Sequence, residues 1–492
     1  MKKLTIKLKQ HTPMIHFQHD QEGATLRASE VKPKLDRFIL TKLGQGNYEA
    51  GVKKAKECKW LIGKEGHYAL NYKMRIEGKN KKDTIHLDVF SNAKKGKTVY
   101  QTDQFPFLLA NMGGKENEEE LMNLSLYDSV ELVLSIPEEG LFDEIDKTIE
   151  QFFAIHNFGQ RQTKGFGSFS VFSRQIDDEE TQKVSWDFKN YFINGTPLMK
   201  FQLNSNNDLK RQQTLFSVID FYWRCLKSGV NYTKRIVPRN GMGNVQIRCK
   251  ERYIKSFLWK YLSNKDLTWE KRKLKNAFQL ETSFPERKYS DYSYTPSFAR
   301  GLMGCPDKFE YRIPQNEFYE RNGRFKEEVV TETIEIENVS KKVDRISSPI
   351  YFKPYIFENQ VTVYILFDEQ LINELKELKK DEREYKFICG KKEITIPLNP
   401  ESISYIDLVK KYHLALFTDD DYIRSTFGEY KNNQWIPAKI SISKNQEGRT
   451  IRKWGNMDIS WKMVPRDFNW NNILDPNDNG QLKYVSFAQI IK

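Results

Sequence analysis

A chain of 492 residues that is 39% hydrophobic, 29% charged and 13% aromatic has the composition of a globular protein of about two to four domains, and excludes a disordered or fibrous one. Its 79 Lys+Arg against 66 Asp+Glu give a net charge of +13, which suits a polyanionic partner. No run of about 18 apolar residues is present to span a membrane, and the five cysteines are odd in number and scattered, with no CxxC pair. A disulfide framework or structural zinc site is therefore not expected, and a reducing, cytoplasmic compartment is.

In chain order, Leu4, Ile6 and Leu8 alternate with Thr5, Lys7 and Lys9. That is the pattern of a half-buried strand over 3–9, not the continuous apolar stretch of a signal peptide. A loop over 10–24 carries Pro13, Gly23 and the histidines His11, His16 and His19. Val31, Leu35, Phe38, Ile39 and Leu43 share one face of a helix expected over 29–43. Ser29 is its candidate N-cap, Pro33 is expected in its first turn, and Gly44 ends it. Strands are expected near 68–76, 83–90 and 129–136. A second amphipathic helix, 141–155, aligns Phe142, Ile145, Ile149, Phe152 and Phe153 and runs into HNFGQRQTKGFGSFSVF, a glycine-rich basic turn that enters a strand at Phe169–Phe172.

The order βαββ…βαβ over 1–175 is that of a ferredoxin-like domain. Residues 176–289 read as a mostly helical, basic region, with helices at 208–228 and 250–263 around the loop VNYTKRIVPRNGMGN. Residues 290–413 return to strands and helices and read as a second domain. There SYTPSFARGLMG and DRISSPIYFKPYIF bracket EFYERNGRFKEE, expected as an exposed loop. VTVYILF is a strand; QLINELKELKKDE and SISYIDLVKKYH are helices. Residues 414–492 form an extension that the pattern does not assign.

Charge is unevenly spread. Residues 1–60 hold 13 Lys/Arg against 6 Asp/Glu, residues 221–280 hold 15 against 3, and residues 111–150 hold 2 against 12. Each block alone reads as a solvated face. The basic block at 221–280 also holds Tyr222, Trp223, Tyr232, Tyr253, Phe257, Trp259 and Tyr261. Aromatics among cations suit single-stranded nucleic acid, whose bases stack while its phosphates meet Lys and Arg; the same rings also suit a core.

The sharpest local motif is FGQRQTKGFGSF at 158–169. Its glycines permit close backbone approach to a phosphate, and Arg161 and Lys164 add charge. It lacks the GK[S/T] ending of a Walker A loop, and it precedes a strand where a dinucleotide fingerprint opens a helix. An ordinary αβ turn is the simpler reading of these residues alone. His11, His16 and His19 with Asp20 have the residue types for acid–base RNA cleavage or for metal binding, but no metal-ligand spacing is formed. No GxSxG, kinase or GGDD motif occurs, and nothing indicates a cofactor or a metal.

The first strand ending in a TP turn, then LRASEVKPKLDRFI, then a helix running into FGQRQTKGFGSF together resemble the RAMP superfamily of CRISPR RNA-binding proteins. Leu26–Phe38 echoes the segment that opens the superfamily's first helix, with Pro33 where glycine is common. Gly159, Arg161, Lys164, Gly165, Phe166 and Gly167 match its glycine-rich loop. The spacing is most similar to the first RAMP subunits of type III-B (Cmr) effector complexes, and ARGLMG and RISSPIYFKP resemble their second half.

The resemblance implies an α+β protein with two ferredoxin-like (RRM-like) domains around a largely helical insertion. It implies a non-catalytic subunit of a prokaryotic, cytoplasmic antiviral complex, which holds guide crRNA near its 3′ end and helps capture complementary target RNA beside other RAMP subunits. Lys32, Arg37, Arg161 and Lys164 would then meet phosphates, with Gly165 and Gly167 allowing close approach. Composition adds Lys234, Arg235 and Arg239, and more weakly Arg300 and Arg345. Two alternatives from the same superfamily are a target-cleaving backbone subunit using Asp20 and a guide-processing endoribonuclease using His16 or His19. A third is a protein scaffold docking neighbours through its acidic and basic blocks.

Overall fold

The computed structural model describes residues 1–15, 25–64, 66–87, 90–94, 97–101, 122–177, 179–184, 198–202, 207–236, 247–254, 256–263, 267–280, 295–319, 325–343 and 346–418, with short strand segments between 428 and 458. They divide into two units, Met1–Asp220 with Tyr351–Phe367, and Phe221–Ile350 with Asp368–Trp461. Residues 351–367, which the sequence pattern places in a later domain, thus join the first unit. Among the described residues no helix is long and apolar enough to cross a membrane.

The first unit is built on β1 (Lys2–Gln10), α1 (Ala28–Leu43), α2 (Tyr48–Glu57), β2 (Lys73–Leu87), β3 (Met122–Ile136), α3 (Glu139–Ile155), β4 (Phe169–Ile176) and β5 (Gln182–Lys183). Its sheet has the order β2-β3-β1-β4-β5. β1 lies in the middle, antiparallel to β3 and β4, as the ferredoxin-like βαββαβ order requires. Alternation decides which face of β1 is covered: Leu4, Ile6 and Leu8 are buried, and α1 (Val31, Leu35, Ile39) and α3 (Ile145, Ile149, Phe152) share their core.

Three local expectations change. The helix expected from 29 begins at Ala28, with Arg27 at the N-cap making no side-chain bond. Pro33 therefore falls in the second turn, where it removes the bond to the Ser29 carbonyl. The strands expected at 68–76 and 83–90 share, over 73–76 and 83–87, the single strand β2, whose register shifts between Lys81 and Asp83.

The unit also holds β6 (Leu198–Gln202), α4 (Asp208–Lys227, as far as Asp220), β7 (Ile350–Phe357, from Tyr351) and β8 (Gln360–Phe367). The three strands form a sheet in the order β6-β8-β7.

In the second unit, strands Lys308–Tyr319, Phe325–Asn338, Glu384–Cys389 and Lys392–Pro397 form an antiparallel meander. Residues expected as the exposed loop EFYERNGRFKEE therefore belong mostly to a long hairpin, with 320–324 outside the described residues. The expected helix over 250–263 divides as well: Ile247–Ile254 pairs with Val230–Ile236 as a hairpin, and a helix spans only Phe257–Ser263. Ser256 explains the break, because its Oγ accepts the Trp259 N–H at 3.1 Å and caps the new helix. The insertion is thus mixed rather than largely helical.

The α+β class with antiparallel sheets holds. A second ferredoxin-like sheet is not formed among the described residues, since the strands of 290–413 are distributed over three sheets.

Candidate nucleic-acid interface

The loop between α3 and β4 is clamped from below by the chain that follows β1. The Thr12 hydroxyl donates to the Gly165 carbonyl at 2.7 Å and accepts the Ser168 N–H at 2.9 Å. The Gly167 N–H donates to Pro13 and the Gln160 N–H to Ile15, both at 2.9 Å, and the His11 N–H reaches the Ser168 carbonyl at 2.9 Å. β7 closes a second side. The Asn157 amide donates to the Phe352 carbonyl at 2.7 Å, and the Ser168 hydroxyl to the Pro354 carbonyl at 2.6 Å. Phe166, fully buried, stacks on Phe216 of α4 with centroids 3.9 Å apart.

The glycines are needed for this packing, which corrects their expected role. Gly165 and Gly167 have φ of +94° and +66°, left-handed values that favour glycine. A Cβ on Gly167 would lie 1.9 Å from the Phe158 carbonyl oxygen, and one on Gly165 would lie 2.8 Å from Pro354 Cγ. Both Cβ positions point into the protein, at Gly167 against the Phe158 backbone and at Gly165 against the Pro354 and Ile219 side chains.

What the loop presents is Arg161. It is left-handed at φ +55° and only partly buried. Its guanidinium has no ion-pair partner among the described residues, and desolvation alone, with no carboxylate to oppose it, pulls its pKa below the usual arginine value. A partly desolvated, uncompensated cation on a rigid turn attracts an anion. Lys164 stands on the same turn.

α1 supplies the adjoining wall. Glu30, Lys34 and Arg37 are spaced i, i+4, i+7 and so share one stripe. Glu30 accepts the Gly159 N–H, and Lys34 donates to Gln162 Oε1 at 2.9 Å and to the Asn157 carbonyl at 3.3 Å. Arg37 is exposed one turn further on, with its guanidinium 5.7 Å from the Tyr48 ring centre.

Lys32, two residues from Lys34, points elsewhere. Its ammonium bonds Asp36 Oδ2 at 2.8 Å and the Leu70 carbonyl at 2.9 Å, and lies 4.0 Å from the Tyr72 ring centre. Asp36, buried, also accepts the Tyr72 hydroxyl at 2.7 Å. Lys32 is committed to tying α1 to the strand edge, which corrects its expected place among the phosphate contacts. Lys32→Met is expected to cost about 2 kcal/mol of stability, the worth of a hydrogen bond to a charged group, and to leave RNA affinity within about two-fold. Urea unfolding and a binding titration on the same variant check both.

Arg300 is likewise internal to the second unit. Its Nε donates to the fully buried Glu270, its Nη2 lies 3.3 Å from the Tyr311 hydroxyl, and the guanidinium covers Phe309 at 3.8 Å. That guanidinium is engaged inside the unit. Lys234 and Arg235 occupy strand Val230–Ile236, opposite Cys249 and Arg248. Arg239, Arg345, His16, His19 and Asp20 lie outside the described residues.

His11 is buried. Its Nδ1 lies 3.1 Å from the Ile356 amide nitrogen and 3.3 Å from the Ile356 carbonyl oxygen, and its Nε2 lies 2.7 Å from Ser170 Oγ. Burial, reinforced by Lys353 and Lys9, holds its pKa well below the usual histidine value, and this imidazole is a structural group. Among the described residues no group of three or more His, Cys, Asp or Glu is assembled for a metal.

Thr12 and Asn157 are the site residues that motif reading passes over. Both lie in segments that the sequence singles out, but a single hydroxyl or amide carries no periodic signal.

Residues 1–230 match the family model of the Cmr1 N-terminal domain, and residues 253–446 that of the Cmr1 C-terminal domain. No curated protein matches the chain. Among solved structures the chain is similar to apo Cmr1 from Pyrococcus furiosus, at 15% identity and TM-score 0.29, over 46% of this chain and 73% of that one. It is also similar to a chain of the type III-B Cmr-beta complex bound to cognate target RNA, at 14% identity and TM-score 0.23, over 37% of this chain and 61% of that one. The match therefore spans less than two thirds of that Cmr-beta chain. A further Cmr-beta structure, with target RNA, AMPPnP and single-stranded DNA, is matched at 11% identity and TM-score 0.29, over 74% of this chain and 94% of that one. Structural overlap at these scores is slight, and the assignment rests on the domain matches. With the N- and C-terminal domains of one family following each other along the sequence, the chain belongs to the Cmr1 family of RAMP proteins.

Proposed function

We propose that the chain is a non-catalytic RNA-binding subunit of a type III-B Cmr effector complex, holding guide crRNA toward its 3′ end beside other RAMP subunits while the guide captures complementary target RNA. The observation that carries this reading is Arg161, an uncompensated cation presented on a turn that Thr12, Pro13 and Ile15 fix from below. A rigid cation without an ion-pair partner among the described residues can contact the backbone of any RNA sequence, and sequence choice is left to pairing with the guide. Arg37 on the α1 stripe and Lys164 on the turn extend the same charged face. Family membership supports the complex, and the charge on the loop supports the contact.

Arg161→Ala is expected to weaken binding of the full chain to a short single-stranded RNA by about ten-fold across unrelated sequences, and to reduce the slope of log affinity against log salt by about 0.7, one phosphate contact on a single strand. Fluorescence anisotropy over a salt series measures both. Unchanged affinity and slope would remove the loop from the interface.

A further inference from the structure

Lys353 is a lysine set inside the first unit. It is fully buried on β7, and desolvation holds its pKa well below the usual lysine value, with no carboxylate beside it among the described residues. Burying an amine without an acidic partner is costly. Its position explains what it does there. Nζ donates to the His156 carbonyl at 2.6 Å and to the Phe169 carbonyl at 2.9 Å. These are the residues that enter and leave the glycine-rich loop, and a lysine side-chain nitrogen has enough N–H groups for both.

The neighbours on β7 extend the pattern. Tyr351 donates its hydroxyl to the Ile155 carbonyl at 3.1 Å, and Tyr355 to that of Ala154. Alternate residues of one strand thus meet the consecutive carbonyls of Ala154, Ile155 and His156, groups that a helix end leaves without internal partners. α3 has no basic residue of its own in its last turn.

We propose that Lys353 is a positioning residue of the RNA-binding loop, a staple that holds the loop's two ends together so that Arg161 is presented on a fixed turn. This rests on the loop reading above, and its test separates the two.

In the full chain, Lys353→Met removes the donors at similar length, and Lys353→Gln keeps an amide with two N–H groups. Limited trypsin digestion read by mass spectrometry reports nicking after Arg161 and Lys164, with the exposed lysines of α2 as internal reference. For Lys353→Met, nicking in the loop is expected to rise about ten-fold while the α2 sites stay unchanged, because a local opening has lost two hydrogen bonds. Lys353→Gln should recover part of the protection. RNA affinity should fall with Lys353→Met as with Arg161→Ala, and the double variant should be no weaker than the weaker single one.

Unchanged loop nicking in both variants overturns the staple. So does nicking that rises equally at α2, which would make Lys353 a support of the whole unit, and so does full RNA affinity in Lys353→Met where Arg161→Ala is weakened. Loop-specific nicking alongside unchanged binding by Arg161→Ala supports the staple and removes instead the reading of the loop as an RNA contact.

Discussion

Gly167→Ala is expected to destabilise the first unit by about 4 kcal/mol and to abolish the native loop. Two terms add. An alanine at φ +66° pays the left-handed penalty of about 1–2 kcal/mol. Its Cβ would then stand 1.9 Å from the Phe158 carbonyl oxygen and 2.8 Å from the carbonyl carbon. Those atoms cannot yield cheaply, because the Phe158 N–H is itself bonded to the Gly167 carbonyl at 3.0 Å and the Gly167 N–H to Pro13 at 2.9 Å; overpacking of this kind adds about 1–3 kcal/mol. Gly390 is the natural control. It has φ +59°, and a Cβ there would meet nothing within 4 Å, so Gly390→Ala should carry the conformational term alone, about 1 kcal/mol. Urea unfolding of the two variants beside the parent measures the difference. Equal losses would show that the steric term is absent and that the loop backbone gives way.

The part of this site that the sequence discloses is the part written in local pattern. Alternation around Leu4, Ile6 and Leu8 gives the central strand, the spacing of Phe142, Ile145, Ile149 and Phe152 gives α3, and the left-handed positions at Gly165 and Gly167 mark a forced turn. What the turn is forced against is not local. Thr12 and Pro13 lie some 150 residues upstream of their partners, and Lys353 lies 197 residues beyond His156 and 184 beyond Phe169. No period connects them, so glycines that look like openings for a ligand are also accommodations to the chain's own packing.

Cations mislead for a related reason. Lys32 and Lys34 sit two residues apart on one helix, and their opposite orientations are legible from its phase. Which side meets the loop and which meets Tyr72 depends on how α1 is rotated over the sheet, and that is set by Val31, Leu35 and Ile39 packing into the core. Charged strands are hidden in another way. The hairpin of Lys308–Tyr319 and Phe325–Asn338 carries so many Glu, Lys and Arg residues that composition suggests a solvated loop, although β-branched residues such as Ile313, Val329, Val330 and Ile334 lie within it and support a strand.

Arg300 shows the same failure of local reading most sharply, and it sets the second large effect. Glu270→Ala is expected to cost the second unit about 3–5 kcal/mol, the loss seen when one partner of a buried ion pair is removed. Glu270 is fully buried at the start of the helix Glu270–Phe278, where its carboxylate takes the Arg300 Nε–H and faces the Arg300 backbone N–H at 3.4 Å. Burial works against the Arg300 charge, but Glu270 and the Tyr311 hydroxyl outweigh it and hold its pKa above the ordinary value. Without the carboxylate, a guanidinium packed 3.8 Å from the Phe309 ring centre is left buried and charged without its counter-ion. The loss belongs to that stranded charge rather than to the net worth of the pair. Glu270→Leu combined with Arg300→Met, which removes both charges at similar volume, should therefore recover most of the stability. Thermal unfolding of the single and double variants tests this. A double variant as unstable as Glu270→Ala would assign the loss to packing or to the helix start, and a single variant as stable as the parent would show that water reaches Arg300.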